Sequence, residues 1–120
     1  MPKTILIVDD SPTELRLIER ALQDKGFELI TAMDGEEAIA KTLSRHPDLV
    51  LLDVILPKQN GFQVCREIKR SKETGGTKVI LVTAKRQESD RYWGLRQGAD
   101  EYITKPFTTE ELLDRIGRVL

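Results

Sequence analysis

Four places in this chain of 120 residues hold side chains that could do chemistry together: Asp9-Asp10, Asp53, Thr83-Ala84 and Lys105-Pro106. Each follows a short run rich in branched apolar residues, at positions 5–8, 49–52, 79–82 and 101–104. If those runs are strands of one parallel sheet, three carboxylates, a hydroxyl and an ammonium meet beyond its carboxyl edge, where such sheets bind ligands. Carboxylates gathered in a core repel one another, so the cluster calls for a cation. A hard, oxygen-loving dication such as Mg²⁺ fits, because it uses few carboxylates and readily takes a phosphate oxygen. A carboxylate beside it can attack phosphorus to give an acyl phosphate. Phosphoryl transfer then needs positive charge on the equatorial oxygens, which the metal, Lys105, and Thr83 with a backbone N–H can supply. Asp10 or Asp34 alone could merely cap a helix. Asp53 could not, since Val54-Ile55-Leu56 follows it. Lys105 as a plain salt-bridge partner of Asp53 is compatible with either reading.

The elements that must position these groups alternate regularly. Strands are expected at 5–8, 28–32, 49–52, 79–82 and 101–104. The first, third and fourth are apolar throughout, as strands covered on both faces should be, and the other two read as edges. Between them lie helix signals. Ser11-Pro12-Thr13-Glu14 is a capping box with Pro at the first helical position, followed by an inner face of Leu15, Ile18, Ala21 and Leu22, with Gly26 as the stop. Asp34 with Glu37 caps a second helix, ended by Arg45-His46-Pro47, with His46 as a solvated turn residue. Phe62, Cys65 and Ile68 mark a third helix, residues 88–97 a fourth with no clear face, and Thr108 with Glu111 a fifth whose Leu112, Ile116, Val119 and Leu120 face inward. Phe27 and Met33 are core-type residues, and Trp93 reads as ordinary packing. Five strand–helix units in series mean right-handed crossovers and one α/β domain over residues 1–120, its parallel sheet covered on both sides.

Composition narrows the function. Nineteen basic against twenty acidic residues leave a net charge of −1, so no global field points to nucleic acid or an anionic membrane. A single cysteine, Cys65, and a single histidine, His46, exclude an internal disulfide and the usual zinc sites. No apolar stretch approaches the roughly 20 residues that span a bilayer, and no signal-peptide core is present. A cytoplasmic protein is expected.

Taken together, ILIVDDSP at 5–12, LVLLDVILPKQNGF at 49–62, VILVTAK at 79–85 and EYITKPF at 101–107 resemble the receiver domain of bacterial two-component response regulators, the group that includes the chemotaxis protein CheY. The resemblance covers the whole chain. It implies a flavodoxin-like fold with strand order 2-1-3-4-5, the order known for CheY and not deduced from this pattern. It makes Asp53 the phosphoacceptor and Asp10 a direct Mg²⁺ ligand, with Asp9 acting mostly through water and the Ile55 carbonyl completing the protein ligands. Thr83 becomes the switch hydroxyl, the Ala84 N–H a phosphoryl contact, Lys105 the phosphoryl-binding cation before a cis Pro106, and Tyr102 the switch aromatic that turns inward on phosphorylation. Ile55 and Lys85 fall where the family tunes hydrolysis.

The implied partners are a sensor histidine kinase or phosphotransfer protein, and a downstream protein on the face of the fourth helix, fifth strand and fifth helix. Nucleic acid and membrane insertion are not expected, and the only reactions catalysed are the domain's own phosphorylation and dephosphorylation. SPTE after the Asp pair, with TAKRQESDRYWGLRQGADEYITKPF, looks like the stand-alone regulators of twitching motility (PilH-like proteins). Two alternatives stand beside this reading. One is a receiver cut from a longer transcriptional regulator. The other is a small aspartate-nucleophile phosphatase of the haloacid dehalogenase type, disfavoured because its nucleophile belongs after the first strand.

Overall fold

The computed structural model describes residues 2–120. Strands β1 (Thr4–Val8), β2 (Glu28–Ala32), β3 (Leu49–Leu52), β4 (Lys78–Thr83) and β5 (Glu101–Thr104) alternate with helices α1 (Pro12–Leu22), α2 (Gly35–Arg45), α3 (Gly61–Arg70), α4 (Glu88–Arg96) and α5 (Thr109–Val119). All neighbouring strands pair in parallel, in the order β2-β1-β3-β4-β5. The apolar strands are therefore the three inner ones and the polar-flanked strands the two edges.

Alternation along each inner strand feeds two cores. Ile5, Ile7, Leu49, Leu51, Ile80 and Val82 face α1 and α5, meeting Leu15, Ile18, Leu22, Leu112 and Ile116. Leu6, Val8, Val50, Leu52, Val79 and Leu81 face the opposite way, toward Ala38, Val64, Cys65 and Ile68 of α2 and α3. Each large aliphatic side chain buried in this way contributes about 1.5–3 kcal/mol, so the sheet is a rigid floor for whatever stands at its edge.

Helix starts follow their caps. Ser11 accepts from the Glu14 N–H, Asp34 from that of Glu37, and Thr108 from that of Glu111. Of the three expected caps only Thr108–Glu111 closes reciprocally; Glu37 instead accepts from the Met33 N–H, and Glu14 turns toward Lys105. A second full box, Asn60 with Gln63, starts α3.

Several expected positions move. Helix α1 ends at Leu22 with Gln23 as its cap, not at Gly26; Asp24 (φ 61°) and Gly26 (φ 89°) instead carry a left-handed turn into β2. Leu120 and Met33 are exposed, because one lies past the last turn of α5 and the other in the loop before α2. Phe62 is only half-buried, while Val64 occupies the inner face of α3. Trp93 is not packed inside: it is 53% exposed, since α4 buries only Gly94.

Candidate functional site

The carboxyl edge of the sheet builds the site from loop hydrogen bonds. Asp9 continues β1, its N–H donating to the Ala32 carbonyl at 3.1 Å, and its Oδ1 accepts from the Ser11 N–H at 3.0 Å. Asp53 follows β3 with its N–H on the Val8 carbonyl (3.0 Å), and its Oδ1 accepts from the Ile55 N–H (3.0 Å). Lys105 is held from behind, its N–H on the Thr83 carbonyl at 2.8 Å and its own carbonyl accepting from the Arg86 guanidinium at 3.0 and 3.3 Å. The Lys105–Pro106 bond is cis.

These tethers bring three side chains together. Lys105 Nζ donates to Asp9 Oδ2 at 2.7 Å and to Asp53 Oδ2 at 3.1 Å, with Glu14 at 3.9 Å. Asp9 is 2% exposed and Asp53 7%. Burial raises the Asp53 carboxyl above its ordinary value; the Ile55 N–H and the Lys105 charge oppose that shift, and Asp9 adds to it. Burial alone would depress Lys105, but its hydrogen bond to Asp9 and the charge of Asp53 prevail and raise it. An ion pair with Lys105 should lower Asp53, and the rise shows that lost hydration and a second carboxylate outweigh the pairing. Two buried carboxylates thus share one ammonium.

Asp10 is exposed beside Asp9 and is not drawn into the Lys105 hydrogen bonds. Thr83 is fully buried, its Oγ1 accepting from the Lys85 N–H at 3.4 Å. Ala84 lines a groove of about 530 Å³ with Lys105, Pro106, Phe107 and the exposed Leu17. Tyr102 is 2% exposed, its hydroxyl donating to the Lys85 carbonyl at 2.9 Å. Its ring is therefore already inside, where the sequence reading has it turning inward on phosphorylation. The physical reason is Gly94: a Cβ there would stand 3.1 and 3.2 Å from the ring and 2.7 Å from Leu81 Cδ1.

A second glycine, Gly61, is likewise held by close packing. A Cβ on Gly61 would collide with the Asp53 carbonyl oxygen and lie 2.7 Å from Val54 Cα, while the Gly61 N–H donates to the Val54 carbonyl at 2.8 Å. The start of α3 is thus pressed directly against the backbone that aims Asp53. Its signal in the sequence is a glycine immediately after an N-cap asparagine. Glu14 and Arg86, which brace Lys105 from two sides, had no such signal.

The Asp9 and Asp53 carboxylates offer oxygen alone, the donor type a hard dication takes, and outnumber the single Lys105 charge between them, but among the described residues no three His, Cys, Asp or Glu side chains are grouped closely enough to hold a metal ion as they stand.

The chain is 45% identical to the protein PilH of Pseudomonas aeruginosa over 116 residues, covering 97% of this chain and 96% of PilH. It is 42% identical to the alkaline phosphatase synthesis transcriptional regulatory protein PhoP of Bacillus subtilis over 120 residues, all of this chain but 49% of PhoP. Among solved structures it superposes on the CheX–CheY–BeF3–Mg²⁺ complex of Borrelia burgdorferi with a TM-score of 0.93 at 32% identity, covering 99% of this chain and 90% of that one. The family model for the response regulator receiver domain matches residues 5–117, and the chain belongs to that family.

Proposed function

We propose that this receiver accepts a phosphoryl group on Asp53 from the phosphohistidine of a sensor kinase or phosphotransfer protein and signals by binding a partner. One observation carries the reading: Asp53 is buried with Oδ1 tied to a backbone N–H, and its Oδ2 meets an ammonium shared with a second buried carboxylate. The Asp53 oxygen attacks phosphorus, the P–N bond to the donor imidazole breaks, and the imidazole nitrogen leaves with the electron pair and takes a proton. Lys105, kept protonated by its two carboxylates, is positioned to follow the incoming phosphoryl oxygens. The Ala84 N–H and the Thr83 hydroxyl stand at the end of the neighbouring strand for the remaining oxygen. Asp10, Asp9, Asp53 and the Ile55 carbonyl would hold Mg²⁺, which when bound supplies charge neutralisation for the carboxylates and the phosphoryl group. The groove beside Lys105, with its exposed Leu17, offers a seat for the helix that bears the phosphohistidine.

Output runs through the loop after β4. Tyr102 and Thr83 both bind Lys85, so movement of the Thr83 hydroxyl toward a phosphoryl oxygen is transmitted to that loop and to α4. The similarity to PilH over nearly its full length supports a place among motility regulators. The PhoP match supports the second reading, a receiver from a longer regulator, and the length of the native reading frame separates the two. The phosphoacceptor is tested by intact-mass spectrometry after incubation with phosphoramidate. One phosphate adduct is expected, lost with EDTA and lost in Asp53→Asn. An unchanged adduct in that variant refutes the assignment.

A further inference from the structure

Helices α1, α3 and α5 bury an apolar stripe and α2 packs Ala38 and Ile39 on the core, but α4 buries only Gly94 and leaves Tyr92, Trp93 and Leu95 outside. Trp93 is the wall between two adjoining concavities. On one side Arg66 and Arg70 of α3, with Arg96 and Gln97 at the end of α4, line a groove of about 250 Å³. On the other, Tyr92 and Leu95 with Arg91 form a shelf of about 610 Å³.

The charges in the groove are uncompensated. Among the described residues, none of Arg66, Arg70 and Arg96 forms an ion pair, whereas the neighbouring Lys69 is held by Asp100 at 2.8 Å. Arg96 lies 5.9 Å over the Tyr92 ring instead. Arg66 and Arg70 are one helical turn apart, a like-charge spacing that weakens a helix. Cations in a last turn complement the helix dipole, which accounts for Arg70 and Arg96 but not for Arg66. Folding therefore gains nothing evident from Arg66, and among the described residues no carboxylate answers any of the three guanidiniums.

We propose that the α3–α4 groove and its apolar shelf bind an acidic amphipathic segment of a partner protein, with carboxylates on the three guanidiniums and apolar side chains beside Trp93. Charge complementarity selects the acid, because guanidinium forks match carboxylates in geometry as well as sign. The apolar shelf continuous with the groove selects a helix with two faces over a free anion. A nucleotide is disfavoured because the groove is walled by the C-terminal turns of α3 and α4, which present no row of backbone N–H groups. The proposal adds a partner chemistry and a second face to the output reading above, yet does not need phosphotransfer to be correct.

Trp93 is the only tryptophan, so its emission reports on the groove directly. The probe is a fluorescein-labelled synthetic peptide that forms an amphipathic helix with glutamates on one face and leucines on the other. A saturable change in Trp93 emission and in peptide anisotropy is expected, weakening with salt. Affinity should fall about tenfold or more in Arg66→Glu/Arg70→Glu, while a lysine-for-glutamate version of the peptide should not bind. Both arginines are exposed, so circular dichroism of the variant should match the parent, and its Asp53 phosphorylation should persist. Trp93→Ala, followed by anisotropy alone, provides a second weakened variant. No saturable response, or equal affinity in the charge-reversed protein, overturns the site. Tighter binding of ATP or of phosphatidylglycerol vesicles than of the peptide overturns the choice of partner.

Discussion

Lys105→Met removes the ammonium and keeps the apolar stem, leaving Asp9 and Asp53 facing each other with no buried counter-charge. Both Oδ2 atoms touch the same nitrogen, at 2.7 and 3.1 Å, so they stand no more than about 6 Å apart. At an effective dielectric of about 20 that separation corresponds to about 3 kcal/mol of repulsion, the scale on which removing one partner of a buried ion pair is felt. A loss of this size should leave the domain folded but lower its urea midpoint by 1 M or more, given slopes of about 1–3 kcal/mol per molar.

The loss should also depend on pH. The Asp53 carboxyl is already raised in the fold, and withdrawing Lys105 raises it further. A raised carboxyl favours the protonated form in the native state, so its contribution to stability is retained at low pH and lost as pH rises past the unfolded value. The gap between parent and variant should therefore be widest near pH 7 and narrow as pH falls toward the carboxylate range. Urea unfolding followed by circular dichroism in EDTA, at neutral pH and near pH 4, checks both points. Adding Asp53→Asn to the variant should restore most of the stability. A loss below about 1 kcal/mol at neutral pH, or one equal at both pH values, would refute the reasoning.

Gly61→Ala forces a methyl against the Asp53 backbone; it should cost about 1–3 kcal/mol by urea unfolding and slow phosphorylation of Asp53 by phosphoramidate. Gly94→Ala crowds the Tyr102 ring and Leu81; it should displace the ring from its buried position, read as a shift of the Tyr102 ring resonances, with unchanged resonances counting against the packing described. Burial pushes the Cys65 thiol up to about 12, so it should resist Ellman's reagent at pH 8 in the native protein and react at once in urea; rapid native reaction would contradict its burial.

What could be read in advance follows the physics of each element. The inner strands announce themselves because both faces are covered and every residue is apolar; the burial of 5–8, 49–52 and 79–82 follows. Their ends then locate Asp9, Asp53 and Thr83-Ala84, while Lys105 follows the edge strand β5. Helix α4 was opaque because it has no inner stripe to find, only the absence of a side chain at Gly94. Helix ends were uncertain where two residues could take the left-handed turn, as with Asp24 and Gly26. Within the site, Lys105 could be matched to Asp53, but its shorter bond to Asp9 depends on how the two loops approach, which no local pattern encodes. Gly61 and Gly94 act by what they lack, and only the packed neighbours reveal it.

The hydroxyl of Tyr102 binds a carbonyl of the main chain, and the Lys85 N–H binds Thr83, so the latch between β5 and the loop after β4 contains no side-chain atom of residue 85. The Lys85 side chain lies exposed. Nearly any residue there preserves the latch; proline alone would delete the N–H that Thr83 accepts. On the proposed phosphotransfer reading, the side chain at position 85 can therefore vary without cutting the main-chain latch, so a change in timing there need not be a change in transmission.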